Sequence, residues 1–163
     1  MKHIFSPWRM KYISMHTPKA DCIFCEALTK PDGPENLVLW RGQRCFIILN
    51  RFPYTSGHLM VVPLEHKPAL EDISPEANAE MIDLLARVCR LLRKVYRPEG
   101  FNLGANIGAV AGAGVAGHVH FHVVPRWGGD TNFISTVGET RVLPEDLEQT
   151  YQRLQAAWEE FKP

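Results

Sequence analysis

No run of apolar residues in this chain reaches the roughly 18 that a membrane-spanning helix needs. Neither sign of charge is in excess: Lys+Arg and Asp+Glu each number 18 in 163 residues, and the formal net charge is zero. That balance argues against a general nucleic-acid or membrane-surface binder, while leaving room for a local basic pocket. The opening MKHIFSPWRMKYI carries charges throughout and has no apolar h-region. It does not read as a secretory signal, so a cytoplasmic protein is expected. Cysteine is scarce, at four. Cys45 in RCFIILN and Cys89 in ARVCRLL sit among core-type residues and are expected to be small buried hydrophobes. Cys22 and Cys25 form CIFC, a spacing that in a reducing compartment points to a metal or redox pair rather than a structural disulfide. Internal repeats and low-complexity segments are absent. The composition, 45% hydrophobic and 22% charged, is ordinary for a globular chain. The length suits one domain over 1–163 with a sizeable core.

Periodicity sets out the elements. Residues 1–20 form an aromatic, basic arm with Pro7 and Pro18, and PDGPEN is a turn cluster. LVLW and CFIILN, separated by RGQR, read as a hairpin, and HLMVVP as a third strand. Ser74 is a candidate N-cap and Pro75 suits the first helical position. Met81, Leu84, Leu85, Val88, Leu91, Leu92 and Val95 then keep helical spacing, which predicts one long amphipathic helix from about residue 75 to 96. Pro98 and Gly100 end it. FNLGANIG is expected as a fourth strand, AGAGVAG as a loop and HVHFHVVP as a fifth strand. The tail, residues 140–163, holds a second helix with Pro144 near its start. The order implies an α+β fold with a mostly antiparallel, five-stranded sheet.

The chemistry is concentrated in GHVHFHVVPRW. His118, His120 and His122 alternate with Val119, Phe121 and Val123, so on a strand the three imidazoles share one face, about 6.6 Å apart. Three rings on one face of a half-buried strand are costly unless each has a partner. Two functional arrangements meet that need. The histidines can bind a catalytic zinc, or one can act as a nucleophile while its neighbours position it and hold anionic oxygens. The preceding AGAGVAG favours the second, because its glycines let backbone N–H groups approach a phosphate closely. Arg126, Trp127 and GGDTN follow the strand and are candidates to line the same pocket.

These residues resemble the histidine triad (HIT) family of nucleotide hydrolases and transferases. HVHFHVV at 118–124 matches the family's alternating histidines followed by two apolar residues, and ILNRFPYTSGHLMVVP at 48–63 resembles its upstream strand–turn–strand. CIFC resembles the metal-binding start of many bacterial members. SPWRMKYI and PRWGGDTNF resemble a bacterial subgroup that includes diadenosine tetraphosphate phosphorylases. The resemblance spans residues 4–135. It implies a HIT-like fold, with one long central helix and a C-terminal helix.

The resemblance also implies a two-step nucleotidyl transfer from a dinucleoside polyphosphate or related nucleotide. His120 would attack the α-phosphorus, and water or inorganic phosphate would then accept the nucleotide from the histidine. His122, His58 and the loop amides of 112–115, with Gly112, Gly114 and Val115, would hold phosphate oxygens. Asn50 would bind the ribose hydroxyls and Asn106 would approach the phosphates or leaving group. Ile23, Phe24, Ile48 and Leu49 would surround the base. Many members carry a Gln or Ser shortly before the first histidine. Here that region is Gly114-Val115-Ala116-Gly117, a departure shared with phosphorylase-like relatives that tilts the expectation toward phosphorolysis.

The same resemblance assigns a structural zinc to Cys22, Cys25, His66 and His118, and a homodimer paired through the long helix and an adjoining strand. No nucleic-acid or membrane partner is expected. Two other functions stand beside this one: a zinc-dependent hydrolase using the triad as ligands, and a nucleotide-binding protein with little catalysis.

Overall fold

A computed structural model of the protein describes residues 22–131, 133–138 and 144–163. The arm expected at 1–20 lies outside the described residues, as does the start of the tail at 140–143. A short helix α1 (Ile23–Leu28) leads to strands β1 (Val38–Arg41), β2 (Cys45–Leu49) and β3 (Leu59–Pro63). The long helix α2 (Pro75–Tyr96) follows, then β4 (Gly100–Gly104), β5 (Phe121–Arg126), α3 (Phe133–Val137) and α4 (Leu147–Trp158). One five-stranded sheet runs in the order β1-β2-β3-β5-β4, and every pairing is antiparallel.

Local chemistry explains the element ends. Ser74 caps α2 by accepting the Ala77 N–H, with Pro75 behind it at the first turn. At the other end Arg97 closes the helix in the left-handed conformation, at φ 49°. Asp146 caps α4 by accepting the Gln149 N–H at 2.8 Å. The buried stripe of α2, including Met81, Leu84, Val88 and Leu92, is the one the periodicity predicts. It packs on β2, β3 and β5, while α4 packs against α2 and β1. Both β2 and β3 are buried along their whole length, so they form the centre of the core. Each fully buried aliphatic side chain contributes about 1.5–3 kcal/mol. No described helix is long and apolar enough to cross a membrane.

Two expected strands are shorter than their apolar patterns. β4 stops at Gly104, and β5 begins at Phe121 rather than at His118. The segment ahead of β5 remains tied by one backbone bond, from the Val119 N–H to the Lys67 carbonyl at 2.7 Å. The alternation of faces therefore continues through His118 and His120, although neither sits in a ladder. Two features have no expected counterpart: α1, which contains three residues of CIFC, and α3.

The register builds the functional face. Ile48 pairs with Met60, Met60 with His122, and His122 with Gly104, so one row of side chains crosses four strands on one side of the sheet. α1 lies over that side, with the Phe24 ring edge-on to Phe46 at 6.5 Å. The turn into β3 requires glycine at position 57. Its φ is +77°, and a Cβ there would meet Leu92 and Tyr96 of α2 at 3.0 Å.

Candidate active site and metal centre

A cleft of about 880 Å³ opens over this row. Ile23, Phe24, Ile48, Leu49 and Met60 form apolar walls, Asn50 and Asn106 stand at its sides, and Gly112, Gly114 and Val115 of the glycine loop roof it. His120 and His122 line it at the reacting end. Gly112 holds the loop's turn at φ +91°, and the Asn106 amide donates to the Gly112 carbonyl at 3.3 Å, tying that loop to the end of β4. The sequence reasoning missed Tyr54, Phe52 and Met60. Tyr54 is the most telling of these, because its ring packs on His58 at 4.6 Å and stacks on His122 at 6.0 Å. A ring four residues before a turn-bound histidine was the available hint.

Hydrogen-bond partners assign the imidazole tautomers, because a carbonyl can only accept and a backbone N–H can only donate. His120 Nδ1 lies 2.8 Å from the His118 carbonyl, so Nδ1 carries the proton and Nε2 keeps its lone pair. Burial pushes the His120 pKa down, partly offset by that carbonyl, which keeps the ring neutral. The Tyr54 N–H donates to His58 Nδ1 at 3.1 Å. His58 therefore carries its proton on Nε2, which lies 3.0 Å from His122 Nδ1. His122 in turn is left with its proton on Nε2. The chain of donors runs from a backbone amide through two rings. His58 is buried to 1% exposure, and burial, then the neighbouring His122 and His120, push its pKa down to about 3. Both of its nitrogens are engaged with protein groups.

His118 faces the other way along the same side. Its Nε2–H donates to the Pro63 carbonyl at 2.8 Å, leaving Nδ1 toward Cys22 Sγ at 3.3 Å and Cys25 Sγ at 3.7 Å. His66 Nδ1 approaches Cys25 Sγ at 3.2 Å. The four ligand atoms of Cys22, Cys25, His66 and His118 all lie within 4.8 Å of one another. A tetrahedral zinc with two sulfur and two nitrogen ligands spaces them about 3.3–3.8 Å apart, so the donor set fits that ion in kind and in spread. Burial and the neighbouring Cys22 push the Cys25 thiol up. His120 and His122 are not in this cluster.

The cluster and the cleft share a wall. Phe24, between the two cysteines, is 1% exposed, and its ring centre lies 5.4 Å from that of His118 and 4.8 Å from that of His120. Trp127 is elsewhere. Its indole donates to the Tyr96 carbonyl at 3.3 Å, satisfying the last residue of α2, and it is not among the residues lining the cleft.

Comparison with known proteins agrees with this geometry. Residues 34–129 match the HIT domain. The chain is 38% identical to the AP-4-A phosphorylase of Mycobacterium tuberculosis over 165 aligned residues, covering 97% of this chain and 85% of that one. It is 32% identical to an adenylylsulfatase of Arabidopsis thaliana over 70% of this chain and 56% of that protein. Among solved structures, a Zn-bound histidine triad family protein from Mycobacterium smegmatis superposes with a TM-score of 0.68. That protein is 30% identical over 86% of this chain and 94% of its own. A family match over more than half the chain, spanning the histidines that line the cleft, makes this protein a member of the histidine triad family.

Proposed function

We propose that this protein is a nucleotidyl transferase that splits a dinucleoside polyphosphate, with diadenosine tetraphosphate as the substrate to test first and inorganic phosphate as the favoured acceptor. The observation that carries the reading is the tautomer of His120: Nδ1–H is held by the His118 carbonyl, so the Nε2 lone pair belongs to a residue lining an 880 Å³ cleft. The apolar wall of Ile23, Phe24, Ile48 and Leu49 takes the base, and Asn50 takes the ribose hydroxyls. The identity to the mycobacterial AP-4-A phosphorylase over nearly the whole chain supports the substrate class.

In the first step His120 Nε2 forms a bond to the α-phosphorus. The bond from that phosphorus to the bridging oxygen breaks, and its electron pair leaves with the departing nucleoside triphosphate. The ring becomes a nucleotidyl-imidazolium whose Nδ1–H stays on the His118 carbonyl. In the second step a phosphate oxygen attacks phosphorus, the P–N bond breaks and its electron pair returns to Nε2. ADP and ATP are the products. Water in place of phosphate yields AMP and ATP. His122 Nε2–H and the amides of 112–115 donate to oxygens that gain charge in both steps, and each such donor contributes about 2.7–4 kcal/mol to lowering the barrier.

Zinc in this reading is structural. Cys22, Cys25, His66 and His118 would hold it, closing the site with four protein ligands and fixing α1 against the histidine segment. The open edge of β4, with Leu103 51% exposed, suits the paired assembly that the family resemblance implies.

A product assay on diadenosine tetraphosphate, with and without inorganic phosphate, tests the function. ADP plus ATP formed only with phosphate is the expected result. AMP plus ATP regardless of phosphate would make the protein a hydrolase, and no cleavage under either condition would overturn the substrate.

A further inference from the structure

The cleft over the triad has a far end. The sheet order sets β1 three strands away from β5, and at about 4.8 Å per strand that is roughly 14 Å from the histidine strand. The chain does not enter β1 in a relaxed conformation. Leu37 sits at φ +64°, in the left-handed region that a bulky residue rarely adopts. Two backbone bonds hold it there. Its N–H donates to the Gly33 carbonyl at 2.7 Å, and its carbonyl accepts the Leu49 N–H at 2.9 Å. Leu37 and the preceding Asn36 both line the cleft, beside Ala27 and Leu49. Strain kept at a cavity wall calls for a reason in what that wall binds.

Asn36 supplies one. Its amide nitrogen donates to the Ala27 carbonyl at 2.7 Å. A carbonyl only accepts, so the nitrogen must face Ala27 and the amide cannot turn over. The Ala27 carbonyl also takes Arg41 Nη2 at 3.3 Å, which ties it to β1. Asn36 Oδ1 and the second N–H of its amide have no partner among the described residues. That edge presents an acceptor beside a donor.

The geometry points to Asn36 as the residue that selects the base: it reads the amino edge of adenine at the end of the apolar wall. The inference rests on the nucleotidyl-transfer function above and adds to it which nucleotide the cleft takes.

Adenine is the complement of that edge. It offers an exocyclic amino donor beside a ring-nitrogen acceptor, a bidentate match for asparagine. Hypoxanthine and guanine carry a carbonyl in place of the amino group, and that oxygen would stand against Oδ1. The apolar residues of the wall grip any purine alike, because they carry no donor or acceptor, so discrimination has to come from a polar group. The cations at this end are turned to other partners. Lys30 pairs with Glu26, and Arg51 Nη2 donates to the Glu35 carbonyl at 2.9 Å.

Calorimetric titration of the whole protein with AMP, IMP and purine riboside 5′-monophosphate, which has only hydrogen at position 6, tests the assignment. Wild type should bind AMP on the order of tenfold or more tighter than either analogue. In Asn36→Ala the three affinities should come within about twofold of one another, because the base-reading edge is gone. Asn36→Ser, whose hydroxyl is too short to reach the base, should level them in the same way and decides the matter if Asn36→Ala loses its fold. Equal binding of all three by wild type would overturn the inference, and so would an AMP preference that survives the substitutions. Wild type that binds none of the three would overturn the underlying nucleotide function instead.

Discussion

His118 and His122 flank His120 symmetrically in sequence, yet they use the same ring in opposite ways. Both nitrogens of His118 face protein groups: Nε2 meets the Pro63 carbonyl at 2.8 Å and Nδ1 meets Cys22 Sγ at 3.3 Å. It is wholly buried, so it serves as a strut between the Cys22–Cys25–His66 cluster and the sheet. His122 Nδ1 lies 3.0 Å from His58 Nε2, and the ring lines the cleft. The difference teaches that the partner of one ring nitrogen decides the work of the other. A carbonyl on Nε2 turns an imidazole into a ligand through Nδ1. A ring that donates to Nδ1 turns it into an Nε2–H donor.

Substitution at the centre of the pair should have the largest effect. His120→Asn should remove turnover by several orders of magnitude while retaining AMP binding and metal, measured by product formation, calorimetry and elemental analysis. Turnover that survives would refute covalent catalysis. On the strut side, Cys22→Ser should abolish stoichiometric zinc and lower stability by several kcal/mol, read by elemental analysis and denaturant unfolding. Full zinc retention would refute the four-ligand assignment, and loss of zinc in His120→Asn would favour the triad as ligands.

On the donor side, His122→Ala should lower kcat by about 10²–10³ with metal content unchanged. Loss of metal there would erase the contrast between the two rings.

The smallest effect sharpens the contrast through pH. Burial holds the His58 pKa down to about 3, well below its ordinary range, so as pH falls the unfolded chain takes up a proton before the folded one does. Its site is unpenalised above about pH 6.5 and loses stability as pH drops toward 3, with a slope of up to roughly 1.4 kcal/mol per pH unit. His58→Asn should remove that share of the acid slope, seen by comparing urea unfolding of both proteins at pH 7.5 and 5. An unchanged difference between the two pH values would show that His58 titrates normally.

Much of the site was legible because its signals are local and periodic. Alternation placed His120 and His122 on one side, and helical spacing found the stripe of α2. The apolar residues Ile23, Phe24, Ile48 and Leu49, matched by resemblance, do line one cleft. What failed to show was non-local. The length of β5 depends on which partner is still alongside, and the β3 ladder reaches only Phe121, where it pairs with Val61. Trp127 looked like a pocket residue because it follows the triad, but an open carbonyl at the end of α2 claims its indole. The contacts of His58, with the turn at Tyr54 and the ring of His122 on its two nitrogens, were likewise not written in any local pattern.

The sequence by itself determined the ingredients: three alternating histidines, a CxxC pair, a glycine loop and an amphipathic helix, each written in residue types and short spacings. Only the tertiary structure decided their roles. Tautomers depend on a backbone N–H, a ring and a carbonyl brought from residues 54, 58 and 63, and the Cys/His cluster joins positions 22, 25, 66 and 118 across the fold. The pairing of β4 with β5 places Gly104 opposite His122. Hydrogen-bond direction and cavity shape are properties of contacts between distant segments, and no local pattern encodes them.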